Sequence, residues 1–325
     1  MSGKFPYRLY TEPKYGEVSP EVKAPKSHML DFDNLAVSRA RCNAEVYCEI
    51  QEAIRGCACY DSIMSVSVTN QAISADGRNI PFRIYTPEGC HERMPIVLFS
   101  HGGSFMMNSL DVYDNVCRYL SWNGSFAVVE VDYHLAPEYK YPAGLEDCYA
   151  VLKWAHENAD TFDGDAEQLY LCGDSSGGNF AAVLAMMVRD RKELRVQKQV
   201  LIYPVTVIQP TEKTESELRY GTGYYLEYDS SQNPFGPYCN SDDEKEQEYL
   251  SPLYSDRLQN LPEALFVQAE CDPLLDQGLM YAAKLEDAGN TVHVTVYEGM
   301  LHGFISLNFQ KTFEALNEVC EFIHG

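Results

Sequence analysis

Apolar positions along this chain fall into short β-rich runs separated, in the later part, by longer amphipathic stretches. Runs of about four to eight apolar or β-branched residues bounded by Gly, Pro, Asn or Asp predict strands. Eight occur, at 64–69 (MSVSVT), 80–85 (IPFRIY), 95–100 (PIVLFS), 126–131 (FAVVEV), 168–172 (QLYLC), 199–204 (QVLIYP), 264–269 (ALFVQA) and 291–297 (TVHVTVY). Between the later runs, apolar residues return at helical spacing over about 110–122, 143–159, 176–192, 274–289 and 309–323. Strand and helix in alternation require right-handed crossovers. The chain is therefore expected to form an α/β fold with a mostly parallel, eight-stranded sheet covered by helices on both faces. No helix separates the first two runs, so the sheet should begin with an antiparallel pair. In such sheets, chemistry gathers beyond the carboxyl ends of the strands.

Two segments stand outside this alternation. Residues 1–62 carry one helical stretch near 35–55, and residues 205–260 form a long insertion after the sixth run. The insertion is rich in tyrosine (Tyr220, Tyr224, Tyr225, Tyr228, Tyr238 and Tyr249), a composition expected of a cap over the site. Most of these rings are expected simply to seal the cap onto the core. The division is thus 1–62 as an N-terminal cap segment and 63–325 as the catalytic domain, with 205–260 contributing to the cap. The acidic run Asp242–Glu248 reads as a solvated face.

Composition narrows the class of partner. With 48 Asp and Glu against 25 Lys and Arg, the formal charge is −23. Such a surface repels phosphate backbones and anionic lipid, so neither nucleic acid nor membrane is an expected partner. The segment MSGKFPYRLYTEPKYGEV has no continuous apolar core of a secretory signal, and the longest greasy run, Phe180–Val188, is too short to span a bilayer. Eleven cysteines without paired spacing predict free thiols and a cytoplasmic setting. Cys57 and Cys59 form a CxC without further ligands at zinc spacing, so buried apolar thiols are expected there and no metal site.

The chemistry is carried by Gly173-Asp174-Ser175-Ser176-Gly177, set between a β-run and an apolar helix. A sharp strand-to-helix turn of this kind exposes a serine at the sheet edge, and the helix N-terminus behind it favours developing negative charge. A serine hydroxyl is a weak nucleophile, so it needs a base and an acid that orients the base. The order belonging to such an elbow is serine, acid, histidine. His302, in GMLHGF just past the last strand run, is the expected base; His324 lies beside the final residue and reads as surface. Glu270, Asp272 and Asp276 compete for the acid. Asp272 is preferred because it follows its strand by a short turn and precedes a proline, whereas Asp276 falls inside the next helix. The run His101-Gly102-Gly103-Ser104 follows a strand directly and offers backbone N–H groups to an oxyanion, together with that of Ser176.

These motifs resemble the hormone-sensitive-lipase family of α/β-hydrolases, which includes many microbial carboxylesterases and acetyl esterases. The likeness covers most of residues 80–315 through HGGSF (101–105), DYHLAPE (132–138), YPAGLEDCYAVLKW (141–154), GDSSGGN (173–179), SPL (251–253), DPLLDQG (272–278) and HGF (302–304). It implies an α/β-hydrolase fold with a helical cap, a triad of Ser175, Asp272 and His302, and an oxyanion hole at Gly103, Ser104 and Ser176. It implies no metal or organic cofactor, a small ester as substrate, and serine-dependent hydrolysis through an acyl-enzyme; a homodimer is admissible. Two positions depart from the pattern. HGGG becomes HGGS, placing a Cβ at Ser104 beside the acyl pocket, and DYRLAPE becomes DYHLAPE, with His134 expected to serve the scaffold. Ser104 and the tyrosine-rich cap together point to short acyl groups, from acetate to about hexanoate. Two other readings are a binding-only relic, like the plant gibberellin receptor, which has lost the histidine that His302 retains here, and an amidase or peptidase.

Overall fold

The computed structural model describes residues 8–20, 22, 30–55, 57–90, 92–307 and 310–325. Eight strands form one sheet: β1 (Ser67–Ala75), β2 (Arg78–Thr86), β3 (Met94–Ser100), β4 (Ala127–Val131), β5 (Gly164–Asp174), β6 (Lys198–Ile202), β7 (Glu263–Cys271) and β8 (Val292–Leu301). Their order is β1-β2-β4-β3-β5-β6-β7-β8. β2 runs antiparallel to both its neighbours, and every later pairing is parallel. The antiparallel start and the parallel body both agree with the sequence pattern.

Helices α1 (Leu35–Arg55), α2 (Tyr60–Met64), α3 (Leu110–Gly124), α4 (Ala143–Glu157), α5 (Ser176–Arg191), α6 (Glu215–Tyr220), α7 (Leu275–Asp287) and α8 (Gln310–His324) surround or overlie the sheet. α5 is buried continuously from Ser176 to Val188, which explains why its sequence is apolar nearly all round. Residue 309, where the last helix was expected to begin, lies outside the described residues, as do 1–7, 21, 23–29 and 56 of the N-terminal segment.

Some boundaries differ from the sequence reading. The first strand was expected at 64–69, but Met64 closes α2 and β1 runs on to Ala75. β1 is an edge strand with most side chains exposed, and in its second half only Ile73 and Ala75 are half-buried, which leaves a weak apolar signature to read. The sixth strand stops at Ile202, two residues early, because Tyr203 turns to φ 33° ahead of Pro204. Cys57 and Cys59 are joined as a disulfide and are only half-buried, which corrects the expectation of buried free thiols at the CxC. The two cysteines, separated by Ala58 alone, face each other in the turn between α1 and α2, a proximity that spacing statistics for whole-domain frameworks do not register.

Candidate active site

Ser175 sits at the junction of β5 and α5 with φ 55° and ψ −118°. A non-glycine residue held there costs about 1–3 kcal/mol, and it persists only where neighbours over-determine it. They do: Ser175 N–H donates to Ile202 O at 2.9 Å, and Ser175 O accepts from Asn179 N–H at 3.0 Å and Val205 N–H at 3.1 Å. The flanking glycines are needed for closeness. A side chain at Gly177 would run into the Ser100 carbonyl, and one at Gly173 into the Gly177 carbonyl.

Asp272 follows β7 immediately and His302 follows β8 immediately, so two adjacent parallel strands deliver them to the same edge. His302 Nε2 lies 2.8 Å from Ser175 Oγ, and His302 Nδ1 lies 2.7 Å from Asp272 Oδ2. Asp272 is fully buried, and its other oxygen accepts Leu274 N–H at 2.8 Å. The Tyr203 ring packs against the imidazole with centroids 4.6 Å apart. The competing acids point elsewhere. Glu270 accepts Gly299 N–H at 2.8 Å, and Asp276 accepts the Tyr15 hydroxyl and Ser216 N–H at 3.0 Å each.

Gly103 and Ser104 border a cavity of about 90 Å³ together with Ser175 and His302. Ser176 opens α5, so its N–H belongs to the first turn, which has no intrahelical acceptor. The loop from 103 to 108 bends sharply: Gly103 has φ 121°, Ser104 55°, Phe105 65° and Asn108 78°. Each non-glycine residue in the left-handed region costs about 1–2 kcal/mol, so the conformation depends on external anchors. One is Asp174, whose Oδ1 accepts Gly102 N–H at 2.7 Å while Oδ2 accepts the Tyr113 hydroxyl at 2.9 Å. Burial pushes the Asp174 carboxyl up to about 6, against the two hydrogen bonds that hold it down. His101 is wholly buried, stacked on Tyr133 at 4.3 Å, with Nδ1 on Gly102 O at 2.7 Å. Burial lowers its pKa to about 4, so this imidazole is neutral and donates from Nδ1.

Asp174, Tyr113 and Asn108 were not singled out from the sequence. Asp174 alone left a signal, as a carboxylate between two buried elements inside the elbow. His134 takes the scaffold place expected of it: its Nδ1 and backbone N–H both bind the buried Asp147, which Arg78 also meets at 2.8 Å. Of the tyrosines between 205 and 260, Tyr238 stacks on Phe105 at 4.1 Å and is buried, while Tyr225 borders the cavity at Ser175. A second space of about 380 Å³ adjoins the first through Ser104, Met107, Tyr225 and Leu226, and is walled largely by apolar and aromatic groups such as Phe32 and Phe235. Among the described residues no cluster of His, Cys, Asp and Glu is placed to hold a metal ion, and no helix is long and apolar enough to cross a membrane.

A family model described as the alpha/beta hydrolase fold matches residues 97–306. The ethyl acetate hydrolase of Pseudomonas putida is 34% identical over 76% of this chain and 77% of its own length. The arylesterase of Saccharolobus solfataricus is 34% identical over 72% of this chain and 75% of its own. Among solved structures, the esterase of Pyrobaculum calidifontis superposes with a TM-score of 0.82 at 32% identity, covering 94% of this chain and 98% of that one. The chain belongs to the α/β-hydrolase family, in its hormone-sensitive-lipase-like branch of esterases.

Proposed function

We propose that the protein hydrolyses carboxylic esters of short acyl groups with Ser175 as nucleophile, His302 as general base and acid, and Asp272 as the group that orients His302. The observation that carries this reading is the unbroken hydrogen-bonded line from Ser175 Oγ through His302 to Asp272, at 2.8 and 2.7 Å. His302 Nε2 takes the Ser175 proton as Oγ attacks the ester carbonyl. The oxyanion rests on the N–H groups of Gly103, Ser104 and Ser176, aided by the N-terminal end of α5. His302 then gives its proton to the departing alcohol oxygen, the C–O bond breaks, and a water deprotonated by the same imidazole hydrolyses the acyl-enzyme. Asp272 holds the Nδ1–H tautomer and stabilises the imidazolium without taking the proton.

The small cavity at Ser175 favours a short acyl group, and the larger adjoining space favours a bulkier alcohol portion. A complete Ser–His–Asp line favours catalysis over mere binding. In this reading the enzyme works in the cytoplasm on neutral or cationic small esters, with residues 1–62 and 205–260 as its cap. The test is Ser175→Ala. Activity on p-nitrophenyl acetate should fall by about 10³-fold or more with the fold unchanged, because the covalent step is removed. Retention of more than a few per cent of kcat would refute the assignment.

A further inference from the structure

Helix α1 is more than a roof over the site. Arg39, Asn43 and Val46 lie one helical turn apart on the same face, and each reaches the strained loop or the cavity beneath it. Arg39 Nε donates to Met106 O at 2.6 Å, and its Nη2 donates to Ala136 O at 2.9 Å. Asn43 Oδ1 accepts Asn108 N–H at 3.0 Å. Val46 lines the cavity beside Ser175.

Asn108 is where this face meets the reaction centre. With φ 78° it ends the stretch of left-handed residues that begins at Gly103. Its own Nδ2 donates to Gly102 O at 3.0 Å, and Gly102 N–H is held in turn by Asp174, the residue before the nucleophile. One continuous path of hydrogen bonds therefore runs from Asn43 on α1, through Asn108 and Gly102, to Asp174. The Gly103 and Ser104 N–H groups lie between its fixed points. A loop that carries several left-handed residues relaxes when an anchor is removed, and N–H groups aimed at an oxyanion tolerate little displacement.

We infer that Asn43 is a positioning residue for the oxyanion loop, so that α1 completes the reaction centre instead of only covering it. The inference rests on the proposed roles of Gly103, Ser104 and Ser175. Asn43 touches no substrate atom; it sets the angle of Asn108 and, through it, the direction of two catalytic N–H groups. The contribution belongs to the transition state, since those N–H groups meet full negative charge only there.

The experiment compares the full-length enzyme with Asn43→Ala, Asn43→Asp and, as a control on the exposed side of α1, Val37→Ala. Active sites are first counted with a p-nitrophenyl phosphonate, with Ser175→Ala as the unlabelled reference. Per labelled site, Asn43→Ala should lose about 10-fold or more in kcat with KM within about 3-fold. The inhibition constant of a trifluoromethyl ketone, whose adduct carries the oxyanion, should rise by the same factor. Asn43→Asp keeps an acceptor for Asn108 N–H and should recover most of the loss, while Val37→Ala should match the parent. Unchanged kcat in Asn43→Ala, or a fall in kcat without a parallel loss of ketone affinity, would overturn the inference. Labelling of Ser175→Ala would instead overturn the triad reading, so the two failures are distinguishable.

Discussion

Replacing Asp272 by Asn tests the choice of acid, because the substitution preserves shape and inverts one hydrogen-bonding group. Asp272 accepts two N–H donors, from His302 at 2.7 Å and from Leu274 at 2.8 Å, and it is fully buried. An asparagine has one acceptor oxygen and one NH₂. If its oxygen faces Leu274, the NH₂ meets His302 Nδ1 and selects the tautomer with its proton on Nε2, which can no longer accept the Ser175 proton. If its oxygen faces His302, two donors oppose each other at Leu274, and an unsatisfied buried pair costs about 1–3 kcal/mol. The first outcome disables the base, so kcat should fall by about 10² to 10⁴. Asp276→Asn is the matched comparison, because Asp276 is also buried and also takes two donors, from Tyr15 and Ser216, but touches no part of the Ser175–His302 line. It should change kcat by no more than about 3-fold while lowering stability by about 1 kcal/mol. Initial rates on p-nitrophenyl acetate across pH 5–9, with circular dichroism to confirm folding, separate the two. Equal losses, or a larger loss in Asp276→Asn, would refute the assignment of the acid.

Ser104→Gly should raise stability by up to about 1 kcal/mol, since the left-handed φ of 55° penalises a Cβ more than glycine's extra chain entropy costs; a lowered Tm would contradict this. Asp174 ionises at about 6 in the folded protein against an ordinary 3.8, so its contribution to stability is complete below about pH 3.8 and is lost as pH rises through 6. That difference corresponds to about 3 kcal/mol, and Asp174→Asn, which cannot titrate, should gain on the parent by that order as pH climbs from 4 to 7. A Tm difference that stays flat with pH would rule it out. Along a series of p-nitrophenyl esters, kcat/KM should peak between acetate and hexanoate and then fall steeply, since each methylene that clashes costs about 1–3 kcal/mol. A maximum at decanoate or longer, or activation by an oil–water interface, would refute the short-acyl reading.

The features legible along the chain are those whose cause is local. A glycine-flanked serine between an apolar run and a buried helix is a turn that few other folds require, and strand ends followed by Asp-Pro or His-Gly mark where loops leave a parallel sheet. That is why Ser175, Asp272 and His302 could be named before their proximity was known, and why β2 to β8 lay close to their expected places. β1 was harder, because an edge strand with most of its side chains exposed has little alternation to display. The anchors of the 102–108 loop were beyond reach for a different reason. Asn43 and Asn108 are 65 positions apart, and Gly102 and Asp174 are 72 apart. Polar side chains carry no periodicity that announces a partner, and a backbone N–H can be met by any acceptor the fold brings near. Sheet order put β3 beside β5 and so set the Gly102 loop against Asp174, and the packing of α1 against α3 brought Asn43 over Asn108. The proposed reacting groups were thus legible in local turn chemistry, while their alignment came from contacts that exist only once distant segments have packed.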